Sequence, residues 1–140
     1  MIVVEFLEGV PNVPGISQDF FSTAIPILVE SEGKSCGEIT VIFCGDEYLL
    51  AMNLEFLNHN YYTDVITFDY TENQVVSGDV FVSIDRVLDN ARTLKHSPEN
   101  EVCRVVFHGV LHLLGYDDKS DVTKQIMTNK ENEYLKKCLS

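Results

Sequence analysis

Between Val105 and Asp118 the chain reads Val-Val-Phe-His-Gly-Val-Leu-His-Leu-Leu-Gly-Tyr-Asp-Asp, with His108 and His112 four residues apart in an otherwise apolar run. Buried imidazoles cost free energy unless each ring nitrogen finds a partner, and a metal ion satisfies several such groups at once. Residues four apart share a helix face, so both rings can direct a nitrogen at one ion. A chain reversal at Gly115 would then bring up Asp118 as an oxygen ligand, in the spacing His-x-x-x-His-x-x-Gly-x-x-Asp. A histidine pair at this spacing is by itself most often coincidence. The apolar flanks, Gly109 and the acidic pair at 117 and 118 turn it into the expectation of a metal site. Asp117 is either a support for that site or a solvated residue, and His59 and His96, in polar loops, are expected to take no part.

Gly109 stands where His-Glu-x-x-His proteases carry the glutamate that acts as general base, so peptide hydrolysis by that route is disfavoured. A mid-helix glycine costs about 1 kcal/mol relative to alanine, so close approach of a neighbouring backbone or of a substrate is expected there. At about 100° per residue, Glu101, Arg104, His108, His112 and Gly115 fall on one side of the helix, with Val106, Phe107, Val110 and Leu114 elsewhere. Glu101 and Arg104 are therefore candidates to support the site.

The helix that positions these residues has a strong start signal, Ser97 as cap and Pro98 at the first helical position. Upstream, Ile2 to Leu7 reads as a strand, followed by a loop at Pro11, Pro14 and Gly15. Phe20, Phe21, Ala24, Ile25 and Leu28 predict a helix capped by Ser17, with a kink or break at Pro26. Ser31 to Gly37 predicts a loop, Glu38 to Cys44 a strand, and Asp46, as cap, a helix through about Leu57. Asn58 to Tyr62 predicts a loop. Val65 to Tyr70 and Gly78 to Ile84 predict neighbouring antiparallel strands, and Asp85 the cap of a further helix. A last helix, Asp121 to Leu139, carries Val122, Ile126, Met127, Tyr134 and Leu135 and should dock one face. The expectation is one α+β domain over residues 1–140, a mixed sheet of about four strands with helices packed on it and the metal-site helix near the C-terminus.

Composition narrows the function classes. No apolar run is long enough to span a membrane, and no leader-like segment opens the chain. Cys36, Cys44, Cys103 and Cys138 are scattered, which suits free thiols in a reducing cytoplasm. The net charge of −12, from 22 acidic and 10 basic residues, repels a polyanion over the molecule as a whole. A nucleic-acid substrate cannot be inferred from charge.

His108-Gly109-x-x-His112-Leu113-x-Gly115-Tyr116-Asp117 resembles the signature of the YbeY family, bacterial rRNA maturation factors and metal-dependent endoribonucleases. Met52-Asn53 with Phe56, then Thr63-Asp64-Val65-Ile66-Thr67-Phe68, resembles that family's Leu-Asn and Thr-Asp-Val-Leu-Ser-Phe segments, and Gly78-Asp79-Val80 its Gly-Asp-Ile strand start. Glu101 and Met127 also fall where members have those types. The resemblance runs from about Glu38 onward. It implies a cytoplasmic, zinc-binding α+β protein that cleaves single-stranded RNA, acting in 16S rRNA 3′-end maturation and ribosome quality control, with the small ribosomal subunit or its proteins as partners. The alternative is a non-catalytic, metal-binding ribosome-assembly factor.

Two positions depart from the family pattern. Its third ligand is usually histidine, here Asp118, and its arginine after the aromatic residue is here Leu57. A carboxylate ligand lowers the net charge of a zinc site from +2 to +1 and makes iron or manganese plausible as well. Loss of the arginine removes a planar phosphate-binding fork, for which Arg104 or Lys119 is the expected substitute. Metal binding by His108, His112 and Asp118 should survive, with RNA positioning shifted or weakened.

Overall fold

Val-, Ile- and Phe-rich runs form four strands, β1 (Ile2–Phe6), β2 (Ser35–Cys44), β3 (Val65–Asp69) and β4 (Val75–Ser83), in the order β1-β2-β4-β3. The computed structural model describes residues 1–11, 13 and 15–139, so Pro14 of the expected loop lies outside the described residues. β1, β2 and β4 run parallel, and β3 pairs with β4 antiparallel, as expected for the Val65 and Gly78 segments. Five helices complete the described chain: α1 (Gln18–Ser31), α2 (Asp46–Leu57), α3 (Ile84–Leu94), α4 (Pro98–Leu113) and α5 (Asp121–Leu139). The α+β architecture with a mixed four-stranded sheet is the one expected.

Side-chain alternation divides the sheet. Ile39, Val41, Phe43, Val76, Val80 and Val82 enter the main core with apolar residues of α1, α4 and α5. Cys44, Ile66, Phe68 and Phe81 pack on the opposite face with Leu49 and Met52 of α2. At the β1 edge, Gln18 accepts from the Val4 amide at 2.7 Å and donates to the Ile2 carbonyl at 2.6 Å, closing off backbone groups that could otherwise pair with another chain.

Several local expectations are corrected. α1 runs unbroken through Pro26. Proline costs a helix interior about 3 kcal/mol, but burial of Phe21, Ala24, Ile25, Leu28 and Val29 on the sheet outweighs it, at about 1.5–3 kcal/mol for each of the larger side chains. β2 begins at Ser35, so Gly37 belongs to the strand, at a register irregularity between Cys36 and Ile39. The caps are exchanged: Ser83, not Asp85, caps α3 through the Arg86 amide at 3.2 Å. Asp85 reaches across to accept from the first amide of α2, at Asp46, at 2.9 Å. The Asp46 carboxylate instead accepts from Ser83 and pairs with Arg86 at 2.8 Å. On α5 the docked face is Met127, Glu131, Tyr134 and Leu135, whereas Val122 and Ile126 are exposed.

The Ser97 side chain caps α4 as expected, accepting from the Asn100 amide at 3.1 Å. A Cβ on Gly109 would lie 2.7 Å from Cγ1 of Val80 and 3.3 Å from methyls of Thr67 and Val65. The glycine therefore lets α4 settle onto β3 and β4. What approaches is sheet side chains, not the backbone or the substrate anticipated. Gly115, at φ +103°, turns the chain back at the helix end.

Candidate metal centre

The same side of α4 that packs away from β4 brings His108 and His112 together. Their Nε2 atoms lie 3.0 Å apart, and Asp118 Oδ2, delivered by the reversal after Gly115, lies 3.3 Å from the first and 3.8 Å from the second. Zinc–nitrogen bonds of about 2.0–2.1 Å at tetrahedral angles place ligand atoms roughly 3.3 Å apart. The three separations bracket that spacing to within about half an ångström, and among the described residues these atoms form the group able to hold an ion.

The other nitrogen of each ring settles the tautomer. His108 Nδ1 lies 2.6 Å from Glu131 Oε2, and His112 Nδ1 lies 2.9 Å from the Tyr116 carbonyl. Both partners are acceptors, so each Nδ1 carries the proton and each neutral ring turns an Nε2 lone pair toward the other. Two facing lone pairs with a carboxylate oxygen beside them repel one another unless a proton or a cation sits between. Burial pulls the His108 pKa down, but the bond and charge of Glu131, with the charges of Asp118 and Asp64, overcome it and hold the ring above its ordinary value. Burial, followed by the neighbouring His108 charge, holds His112 below its ordinary value. The pair thus accepts one positive charge readily and resists two separate protons.

The supports are anchored in turn. Glu131, buried on α5, also accepts from Arg104 Nη1 at 3.0 Å, and Arg104 Nη2 reaches Asn132 at 2.7 Å. Arg104 thus commits both terminal nitrogens to α5. The Tyr116 hydroxyl donates to Glu32 at 2.5 Å; Glu32, at the end of α1, also accepts from Tyr134 and pairs with Lys130 at 3.1 Å. Although partial burial raises its pKa, the bonds from Tyr116, Tyr134 and Lys130 hold the Glu32 carboxyl below its ordinary value.

The three candidate ligands open onto a cleft of about 470 Å³, whose other lining residues are Leu57 at the end of α2, Tyr61 in the loop after it, and the segment from Thr63 to Thr67 that enters β3. Asp64 lines it too. Burial lifts its carboxyl pKa, the His108 ring opposes that, and Glu101 and Glu131 add to the rise. The other candidates lie apart. Glu101 is buried and bonded to His96 Nδ1 at 3.1 Å, outside the cleft lining. Lys119 is exposed, its amide donating to Asp117 at 3.2 Å. Asp117 is exposed and closes that turn, while His59 bonds the Tyr61 hydroxyl at 3.0 Å.

Glu131 and Glu32 are not among the residues to which the sequence points, and Asp64 enters there only within the family-like segment Thr63 to Phe68. One signal was available for Glu131: it falls four residues after Met127 and four before Leu135, an acidic residue on an otherwise apolar helical face.

The family model for Endoribonuclease YbeY matches residues 16–139. A protein of Flavobacterium johnsoniae named Endoribonuclease YbeY is 48% identical over 119 residues, 85% of this chain and 86% of that protein. One of Parabacteroides distasonis with the same name is 42% identical over 135 residues, 96% and 94% of the two chains. The solution structure of TM1509 from Thermotoga maritima superposes with a TM-score of 0.64 at 26% identity, covering 97% of this chain and 87% of that one.

Proposed function

The chain belongs to the YbeY family of endoribonucleases, and from this membership we propose that it is a metal-dependent hydrolase cleaving single-stranded RNA, with His108, His112 and Asp118 as the metal ligands. The observation that carries the reading is the convergence of two Nε2 lone pairs and one carboxylate oxygen within 3.8 Å, with both Nδ1 atoms already paired outward. Three protein ligands leave a position open, the arrangement of catalytic rather than structural zinc sites. Zinc is the ion proposed, and the two-histidine, one-carboxylate set also suits iron or manganese.

A bound ion would supply Lewis-acid stabilisation of charge on a phosphate and acidify a water. The chain's own residues do the rest. Glu131 and the Tyr116 carbonyl fix the tautomers and aim the rings. Asp64, in the same cleft and with a raised pKa, is the group assigned to accept a proton from the attacking water or 2′-hydroxyl. Arg104 supports Glu131 rather than the substrate. Lys119, exposed one residue beyond Asp118 and outside the cleft lining, is the basic residue proposed to meet a single phosphate of the strand. The family points to maturation of the 16S rRNA 3′ end and ribosome quality control, on the small subunit and in the cytoplasm; among the described residues no helix is long and apolar enough to cross a membrane.

Metal analysis of the purified protein together with cleavage of single-stranded RNA tests this. Wild type should hold one ion and cleave, while His112→Ala and Asp118→Ala should lose both properties. Metal-bound wild type that leaves RNA intact would favour the non-catalytic assembly factor, a reading the relatives' shared name does not favour. A cyclic phosphate on the product end would mark 2′-hydroxyl attack, and its absence attack by water.

A further inference from the structure

Among the described residues that line the cleft there is no lysine or arginine, while two carboxylates, Asp64 and Asp118, are present. The whole chain carries a net charge of −12. A single strand is ordinarily held by basic side chains along its phosphates, and that source of affinity is absent from this cleft. The same lining includes an apolar and an aromatic side chain that stand well out: Leu57 is 44% exposed and Tyr61 51% exposed.

Tyr61 is also held in place. Its hydroxyl bonds His59 Nδ1 at 3.0 Å, and the two rings meet edge to face at 5.0 Å. Its carbonyl accepts from the buried Asn53 amide at 2.9 Å, while the Asn53 carbonyl accepts from the His59 amide at 3.0 Å. A half-exposed ring immobilised before ligand arrives gives up little rotamer entropy on stacking.

Building on the ribonuclease reading, we propose that Leu57 and Tyr61 form a nucleobase-binding wall beside the metal centre, which holds a single strand by the face of a base rather than by its phosphates. A duplex is excluded because its bases are not free to stack on a side chain. The metal centre then addresses the phosphate adjoining the held base. The arginine that the resemblance places at position 57 would read charge; leucine there leaves the neighbouring tyrosine as the recognition element.

The test is binding of a short single-stranded RNA, 2′-O-methylated to remove the 2′-hydroxyl nucleophile and checked by gel to be intact after each titration, to the zinc-loaded protein over a range of KCl concentrations. For wild type the slope of log K against log salt should be near −0.7 or shallower, the value for a single phosphate contact. Tyr61→Ala should weaken binding about ten-fold or more, and Tyr61→Phe by no more than about three-fold. One abasic position in the RNA should reproduce the Tyr61→Ala loss and add little to it in that variant, since both remove the same contact. Leu57→Arg should steepen the slope by about 0.7. Thermal melts should show all three variants folded, because both side chains are largely exposed. A wild-type slope steeper than about −1.4, or Tyr61→Ala binding as wild type does, would overturn the base wall and leave the ribonuclease reading standing. Absence of any RNA binding by the wild type would overturn both.

Discussion

On one wall of the cleft each candidate histidine is held from behind: His108 by Glu131, and His112 by the Tyr116 carbonyl, with Tyr116 tied through its hydroxyl to Glu32. On a second wall Leu57, the last residue of α2, and Tyr61 stand half-exposed, the tyrosine held by Asn53 through its carbonyl and by His59 beside its ring. The first wall fixes atoms to within about half an ångström of a coordination geometry; the second presents surface. The difference separates the demands of the two tasks. A metal centre needs lone pairs aimed at one point, whereas an extended strand needs accessible area. Substitutions behind the first wall should therefore change stability and metal affinity together, and substitutions on the second should change neither.

The largest effect should come from Glu131→Ala. It leaves both His108 and the largely buried Arg104 without their carboxylate, a loss of about 3 kcal/mol in urea unfolding. Zinc affinity should fall 10- to 100-fold in a chelator competition titration. Next, Gly109→Ala adds a methyl 2.7 Å from Val80 Cγ1. Overpacking of about 1–3 kcal/mol offsets the helix-propensity gain of about 1 kcal/mol, so a net destabilisation of up to about 2 kcal/mol and weaker zinc binding are expected as α4 lifts off β4.

Glu32→Gln, or Tyr116→Phe, should cost about 1 kcal/mol and lower zinc affinity only a few-fold, because the Tyr116 carbonyl itself is retained. Glu32 also carries a pH signature. Its carboxyl sits below the ordinary value of 4.5 in the folded chain. The stabilisation it supplies is therefore present above pH 4.5 and lost as pH falls through the lower, folded value. Denaturation midpoints from pH 6 downward should decline less steeply in Glu32→Gln than in wild type. Leu57→Ala, on the second wall, should shift stability by no more than about 0.5 kcal/mol and leave zinc affinity unchanged; a change comparable to that of Glu131→Ala would erase the contrast between the walls.

The candidate ligands were legible because they fall within eleven residues of one helix and its turn, where the 3.6-residue period and one glycine determine which side chains meet. The sheet and the start of α4 were legible for the same local reasons: β-branched runs for the strands, and Ser97 with Pro98 for the helix. What escaped depends on partners distant in sequence. Glu131 reaches His108 from 23 residues away, across the α4–α5 packing. Ser83 and Asp85 lie two residues apart at the β4–α3 junction, and the tertiary arrangement gives the α3 cap to the serine and the first α2 amide to the aspartate. Gly109 showed its demand for space, but the neighbour, Val80 on β4, is fixed by strand order.

X-ray absorption at the zinc edge of the loaded protein tests the metal centre most directly. Two imidazoles with oxygen donors at about 2.0–2.1 Å are expected, with one imidazole fewer in His112→Ala if that variant retains any ion. A sulfur shell at about 2.3 Å, or a spectrum without imidazole scattering, would place the ion elsewhere and contradict the assignment of His108, His112 and Asp118.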